Sequence, residues 1–312
     1  MQGRGDGRRK PLTKAQRAII NAGTEIRLDR ATPEDAAFLA RQFVQATLPH
    51  SDPKAPTWSR TNGNFTLGIQ AGFNVKTGES YGLPYGIIPR LLLFWITTEA
   101  VTTKSARLEL GASMAAFMRE VGLDPGRGGV RSDARRLQDQ MTRLFQARIS
   151  FVQDVKEADA EGTAWLNMQV SRKGMLWWNP RHPEQGTLWN SWIELEPDFF
   201  EAITAAPIPV DTRALRALKR SPLALDLYAL VSYEAFRVER SGKARVIPWR
   251  ALMRQLGADY EGETAARDFG VKCRAALRKV AAVMPALRLG DVRGGLAVLP
   301  GSQPAIAAKP KS

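Results

Sequence analysis

Residues 264–284 read TAARDFGVKCRAALRKVAAVM. At about 100° per residue, Phe269, Cys273, Leu277, Val280 and Met284 fall on one face of a helix. Arg267, Arg274 and Arg278 fall close to the opposite face, with Lys272 and Lys279 on its flank, and Asp268 is the only acid in the run. Such a helix can pack on a core while turning guanidinium groups outward at a spacing that suits the major groove of DNA. The same pattern also describes a solvated basic face on a core helix. Its neighbours decide.

Working outward, Val246-Ile247-Pro248-Trp249 is a short extended stretch, and a helix over 249–256 ends at Gly257. After the basic helix, 287–290 and 295–299 form a hairpin across the turn 291–294. The same order occurs earlier. A strand over 107–110 precedes a helix capped by Ser113, with Met114, Phe117, Met118 and Val121 inward and Gly122 as its stop. A Gly-rich loop over 124–129 leads into a helix over 131–146, where Ala134, Leu137, Met141, Leu144 and Phe145 share one face. Arg135, Arg136, Arg143 and Gln146 lie on the other face, and strand-like runs over 148–155 and 163–170 follow.

The residues repeat with the order. Met118-Arg119-Glu120-Val121-Gly122-Leu123-Asp124 matches Met253-Arg254-Gln255-Leu256-Gly257-Ala258-Asp259, and each copy follows a long apolar helix, at 88–101 and 222–236. This is an internal repeat of roughly 100 residues or more. Helix, turn, basic helix and hairpin is the layout of a winged helix-turn-helix, whose second helix enters the major groove while the hairpin tracks phosphates. The expected fold class is therefore α+β, with two tandem winged helix-turn-helix domains related by internal duplication.

The expected boundaries are a flexible basic arm over 1–30, an N-terminal winged domain over 31–204, a Pro-containing linker over 205–210 (AAPIPV), a C-terminal winged domain over 211–300, and a disordered tail over 301–312. Thr32-Pro33-Glu34-Asp35 carries a capping residue, a first-turn proline and two acids, which predicts a helix start. Ala36, Leu39 and Phe43 would be its packing face. A strand is expected near 64–71.

The chain has 312 residues, with 45 Lys+Arg against 31 Asp+Glu, a net +14. That balance favours a polyanionic partner, nucleic acid before membrane. Residues 207–293 hold 17 basic and 9 acidic side chains, whereas 76–206 hold 15 and 16. The attraction is thus concentrated in the last third. Cys273 is alone, which rules out an intrachain disulfide and fits a reducing cytoplasm. With His50 and His182 the only histidines, a Cys/His zinc site is excluded and no cofactor is expected. The basic, Gly-rich N-terminus lacks the apolar core of a secretory signal, and the longest apolar run, 91–96, is too short for a bilayer.

Several motifs then become recognisable: Tyr81-Gly82-Leu83-Pro84-Tyr85-Gly86, Pro89-Arg90, Trp95-Ile96, Glu109-Leu110-Gly111, Phe117-Met118, the segment WNSWIELEPDF over 189–199, and Ser221-Pro222-Leu223-Ala224-Leu225-Asp226-Leu227-Tyr228. Over roughly residues 30–300 the chain resembles the RepA-type plasmid replication initiators. That resemblance implies binding of repeated double-stranded sites (iterons) at a plasmid origin, opening of adjacent AT-rich DNA, and recruitment of host replication proteins, the replicative helicase and host initiator included. It also implies an active monomer and a homodimer made through the N-terminal winged domain.

Candidate DNA contacts are Arg267, Lys272, Arg274, Arg278 and Lys279 on the second basic helix, and Ser132, Arg135, Arg136 and Arg143 on the first, where Asp139 weakens the case. Arg172 with Lys173, and Arg288 with Arg293, stand where wing turns are expected. Trp177, Trp178, Trp189 and Trp192 suit either stacking on single-stranded bases or a place in a core or subunit contact. No catalytic set is found. The glycines at 126–129 are not followed by the Lys-Ser/Thr of a phosphate loop, and two distant histidines do not make a nickase metal site. A transcriptional repressor, and an assembly module whose basic faces meet acidic proteins, stay open as rival functions.

Overall fold

A computed structural model describes residues 11–126, 132–157, 160–177, 190–257, 260 and 262–306. The chain opens with α1 (Lys14–Leu28), whose Thr13 and Gln16 form a reciprocal capping box. The flexible arm expected over 1–30 is thus corrected for 14–28. Ala22, Gly23 and Ile26 are buried, and Gly23 sits so close to the carbonyl of Ala282 that a Cβ would fall 2.1 Å from its oxygen. Small residues on both sides permit that approach.

The motif at 32–35 makes a single 3₁₀ turn, not a helix start, and the chain continues as β1 (Ala36–Ala40) and α2 (Arg41–Gln45). Then come β2 (Thr57–Asn62), β3 (Phe65–Gln70), α3 (Ile87–Thr103), β4 (Arg107–Glu109), α4 (Met114–Glu120) and α5 (Asp133–Gln146). After these the chain forms β5 (Arg148–Lys156), β6 (Glu161–Gln169), β7 (Ser171–Met175), β8 (Trp192–Leu195), α6 (Pro197–Thr204) and β9 (Pro207–Asp211). The last part is α7 (Thr212–Leu218), α8 (Pro222–Ser241), β10 (Arg245–Pro248), α9 (Trp249–Leu256), α10 (Ala265–Val283), β11 (Leu289–Val292) and β12 (Gly295–Val298).

Two units share one order. In the second, α8, β10, α9, α10, β11 and β12 follow in turn, and the sheet runs β10-β12-β11. In the first, α3, β4, α4 and α5 are completed by β7 and β8, whose sheet runs β4-β8-β7. Each unit thus sets a pair of successive helices beside a three-stranded antiparallel sheet. The hairpin expected at 148–170 is not the wing of the first unit. It is an insertion whose β5 pairs with β3, giving a separate four-stranded sheet in the order β2-β3-β5-β6.

The linker and tail are also corrected. β9, which contains Pro207 and Pro209, pairs antiparallel with β1 from Ala36↔Asp211 to Ala40↔Pro207. Both strands of a two-stranded sheet are edges, where proline is tolerated. In the tail, the Ser302 hydroxyl accepts from Arg288 N–H at 2.9 Å, Gln303 N–H donates to Ala286 O, and Ile306 is buried. The remainder, 307–312, lies outside the described residues.

A contiguous apolar cluster runs from Ala22 to Val298, so the units are not two independent cores. α3 is buried on all sides over 91–96, as its unbroken apolar run predicts. The joint between units is ionic as well as apolar. Arg90 of α3 forms a bidentate pair with Asp226 of α8, Nε to Oδ1 at 2.8 Å and Nη2 to Oδ2 at 2.9 Å. Its other donors reach the carbonyls of Leu48, Pro49 and Gly86, so all five N–H groups are used. His50 Nε2 lies 2.8 Å from the same carboxylate. Burial alone would raise the Asp226 pKa, but Arg90 and His50 hold it down at about 2.

Candidate nucleic-acid interface

α9 and α10 form the helix-turn-helix of the second unit. Trp249, Leu252 and Leu256 bury one face of α9, and Trp249 N–H donates to Gly294 O at 2.9 Å, tying its start to the hairpin turn. The indole of Trp249 lies flat against Gly270, where a Cβ would meet three ring atoms at 3.0–3.1 Å. Glycine in a helix interior costs about 1 kcal/mol, and here it sets the distance between the two helices. Cys273 is on the buried face of α10, and burial pushes its thiol up to about 12, so it packs as an apolar group near neutral pH.

All five α10 candidates are solvent-exposed: Arg267, Lys272, Arg274, Arg278 and Lys279. Two are partly held by aromatic faces. The Arg274 guanidinium stands 5.4 Å from the Trp249 ring centroid, and Lys272 Nζ 4.7 Å from that of Tyr260. Arg267 Nε lies 3.6 Å from Asp268, whose other oxygen accepts from Thr264. Among the described residues Arg274 and Arg278 have no carboxylate partner. Arg293 is exposed at the β11–β12 turn, while Arg288 rests its guanidinium against Gly301. The first five thus lie on α10, and Arg293 on the β11–β12 turn.

The first unit departs from expectation in four residues. Ser132 is buried and caps α5 by accepting from Arg135 N–H, so it faces inward. Arg143 is a brace: Nε bonds Asp139 at 3.0 Å, Nη1 bonds Leu83 O and approaches Asp52, and the guanidinium covers Tyr85 at 5.4 Å. Arg172 and Lys173 lie along β7, not in a turn, and both pair with Glu194, whose carboxyl the Arg172 hydrogen bond holds below its usual range. Arg136 is exposed and paired to Asp133 at 3.1 Å. Arg135 is exposed with no carboxylate partner among the described residues.

Trp177 is half-exposed, and Trp192 stacks under the Arg107 guanidinium at 4.0 Å, a structural use. Trp178 and Trp189 lie outside the described residues, as do His182, Asp159 and most of the 126–129 loop. Among the described residues no three His, Cys, Asp or Glu side chains come close enough to hold a metal, and no helix is long and apolar enough to cross a membrane. Sequence reasoning overlooked exposed Arg250 and Arg254 on α9. Their spacing on the polar side of an amphipathic helix was the available signal.

The fold and site define a class: an α+β protein with two helix-turn-helix units, one presenting an open arginine face. The model of the plasmid encoded RepA protein family matches residues 83–251, more than half of the chain, and the chain belongs to that family. Its function is accordingly replication initiation, and DNA is its partner. No curated protein matches it. Among solved structures it is similar to domains 2–3 of RctB, at 12% identity and a TM-score of 0.42, covering 83% of this chain and 96% of that one. A selenomethionine form of the same two domains gives 11% and 0.41, with 82% and 94% covered.

Proposed function

We propose that this protein initiates plasmid replication by binding repeated double-stranded sites at the origin, with α10 in the major groove and the β11–β12 hairpin on the adjacent backbone. The observation that carries the reading is the open face of Arg267, Arg274 and Arg278, in the unit with the largest charge excess. Two groove-facing arginines each pairing bidentately with guanine would contribute about 1–3 kcal/mol of discrimination apiece. The first unit sits on the same duplex and contributes phosphate contacts through Arg135 and Arg136. Bound copies then promote opening of adjacent AT-rich DNA and recruit the host helicase and initiator, with a homodimer through the N-terminal unit as the inactive form. The protein needs no catalytic activity of its own for this.

The test is footprinting on a supercoiled plasmid carrying the native origin, with permanganate as the probe of unpaired thymines. Wild type should give periodic protection with reactive thymines beside it, and Arg274→Ala/Arg278→Ala should lose both. Protection without reactive thymines would mark a transcriptional repressor. Absence of protection at low salt would sink the DNA reading and leave an assembly module.

A further inference from the structure

The exposed face of α10 contains one residue that is not polar. Val271 is 55% exposed, and it lies between Arg267 and Arg274 on the line that continues to Arg278. The spacing is i, i+4, i+7 and i+11, which keeps the four side chains within about 60° of one another and spreads them over roughly 16 Å. That is about five base steps at 3.4 Å each. The buried positions Phe269, Cys273, Ala276, Leu277 and Val280 point the other way, so Val271 is at the outermost point of the helix.

A lone exposed apolar side chain carries no meaning by itself. Position and type carry it here. β-branched residues are poorer helix formers than Ala, Lys, Glu or Arg, so helix stability does not explain valine at an open site. Its χ1 is nearly fixed in a helix, so its two methyl groups form a rigid knob that loses little freedom on binding. In the major groove the thymine C5-methyl is the apolar feature of the base edges, whereas guanine, adenine and cytosine offer hydrogen-bonding groups. A valine pressed on those groups would strip their water without replacing the hydrogen bonds.

We infer that Val271 is a specificity-determining residue that reads a thymine methyl, fixing an A·T or T·A pair between the base pairs met by the flanking arginines. This rests on the proposed placement of α10 in the groove. The arginines read hydrogen-bond patterns, and the valine excludes G·C between them.

The experiment takes the DNA segment protected in the footprint and replaces each thymine singly by uracil, which removes only the methyl group. Affinities are measured by fluorescence anisotropy for wild type, Val271→Ala and Arg274→Ala. Wild type should weaken about fourfold at one uracil position, the effect of one methyl group left in water. Val271→Ala, an exposed change to a better helix former, should bind that uracil site and the thymine site equally. If Val271→Ala keeps the full thymine preference, or no uracil position weakens wild type, the assignment is wrong. If Arg274→Ala binds as tightly as wild type, the groove placement itself fails; if it binds weakly while uracil is harmless, only the Val271 assignment falls.

Discussion

Helices α5 and α10 hold the same place in two units of the same order, yet their arginines have different fates. On α5, Arg136 and Arg143 are drawn to Asp133, Asp139 and Asp52, and Ser132 closes the helix start. On α10, Arg274 and Arg278 meet no carboxylate among the described residues, and the nearest partner of Arg274 is an aromatic face. The proposed reading of DNA by α10 rests on that difference, because its charges are left available to an outside anion. On the function proposed above, the first unit would position the molecule and the second would read.

The comparison needs both units in fixed relation, so the largest effect is expected at their joint. Arg90→Ala would leave Asp226 charged and buried without its bidentate partner. Such changes cost about 3–5 kcal/mol, to be seen as a lower denaturant midpoint. The same carboxylate gives a pH signature. Its folded pKa of about 2 lies below its ordinary value of 3.8, so it is a depressed group. Its contribution, about 2–3 kcal/mol from that difference, is complete above about pH 4 and is lost as pH falls through about 2. Asp226→Asn should flatten stability across that window.

A smaller effect is expected between α9 and α10. Gly270→Ala places a methyl 3.0 Å from the Trp249 ring, tight enough that the indole or the helix must shift by a few tenths of an ångström. Overpacking of this kind costs about 1–3 kcal/mol, and tilting α10 should lower DNA affinity along with stability. On the first unit, Ala134→Gly at a buried position of α5 should weaken folding without a matching loss of sequence preference.

The smallest effect sharpens the contrast from the other side. Asp133→Asn releases Arg136 from its ion pair and removes a negative charge from the α5 face. An exposed pair is worth about 0.2–1 kcal/mol, so stability should barely move. DNA affinity in gel-shift titrations should rise about two- to fivefold. An unchanged affinity would mean that α5 does not approach the duplex.

Much of this was legible because it is local. The α10 stripe, the Ser113 cap, the Gly122 stop and the β11–β12 hairpin all follow from neighbours within a few residues. What was missed depends on distant partners. Arg143 looks free on its helix, and only the fold brings Asp52, Leu83 and Tyr85 to it. The hairpin at 148–169 looks like a wing until β3, some eighty residues upstream, claims β5. The segment 205–210 reads as a linker because of its prolines, but β1 accepts it as an edge strand. α1 was passed over because its buried face is small, Ala22, Gly23 and Ile26, although its capping box was present in the sequence.

The most direct test of the central claim compares affinity for the footprinted repeat, at one fixed salt concentration, between Arg274→Ala/Arg278→Ala and Arg135→Ala/Arg136→Ala, with scrambled duplex as control. The α10 pair should lose on the order of 100-fold on the repeat and far less on scrambled DNA. The α5 pair should lose less than about tenfold, equally on both. A larger loss from the α5 pair, or equal losses on repeat and scrambled duplex from the α10 pair, would contradict the division between a positioning unit and a reading unit.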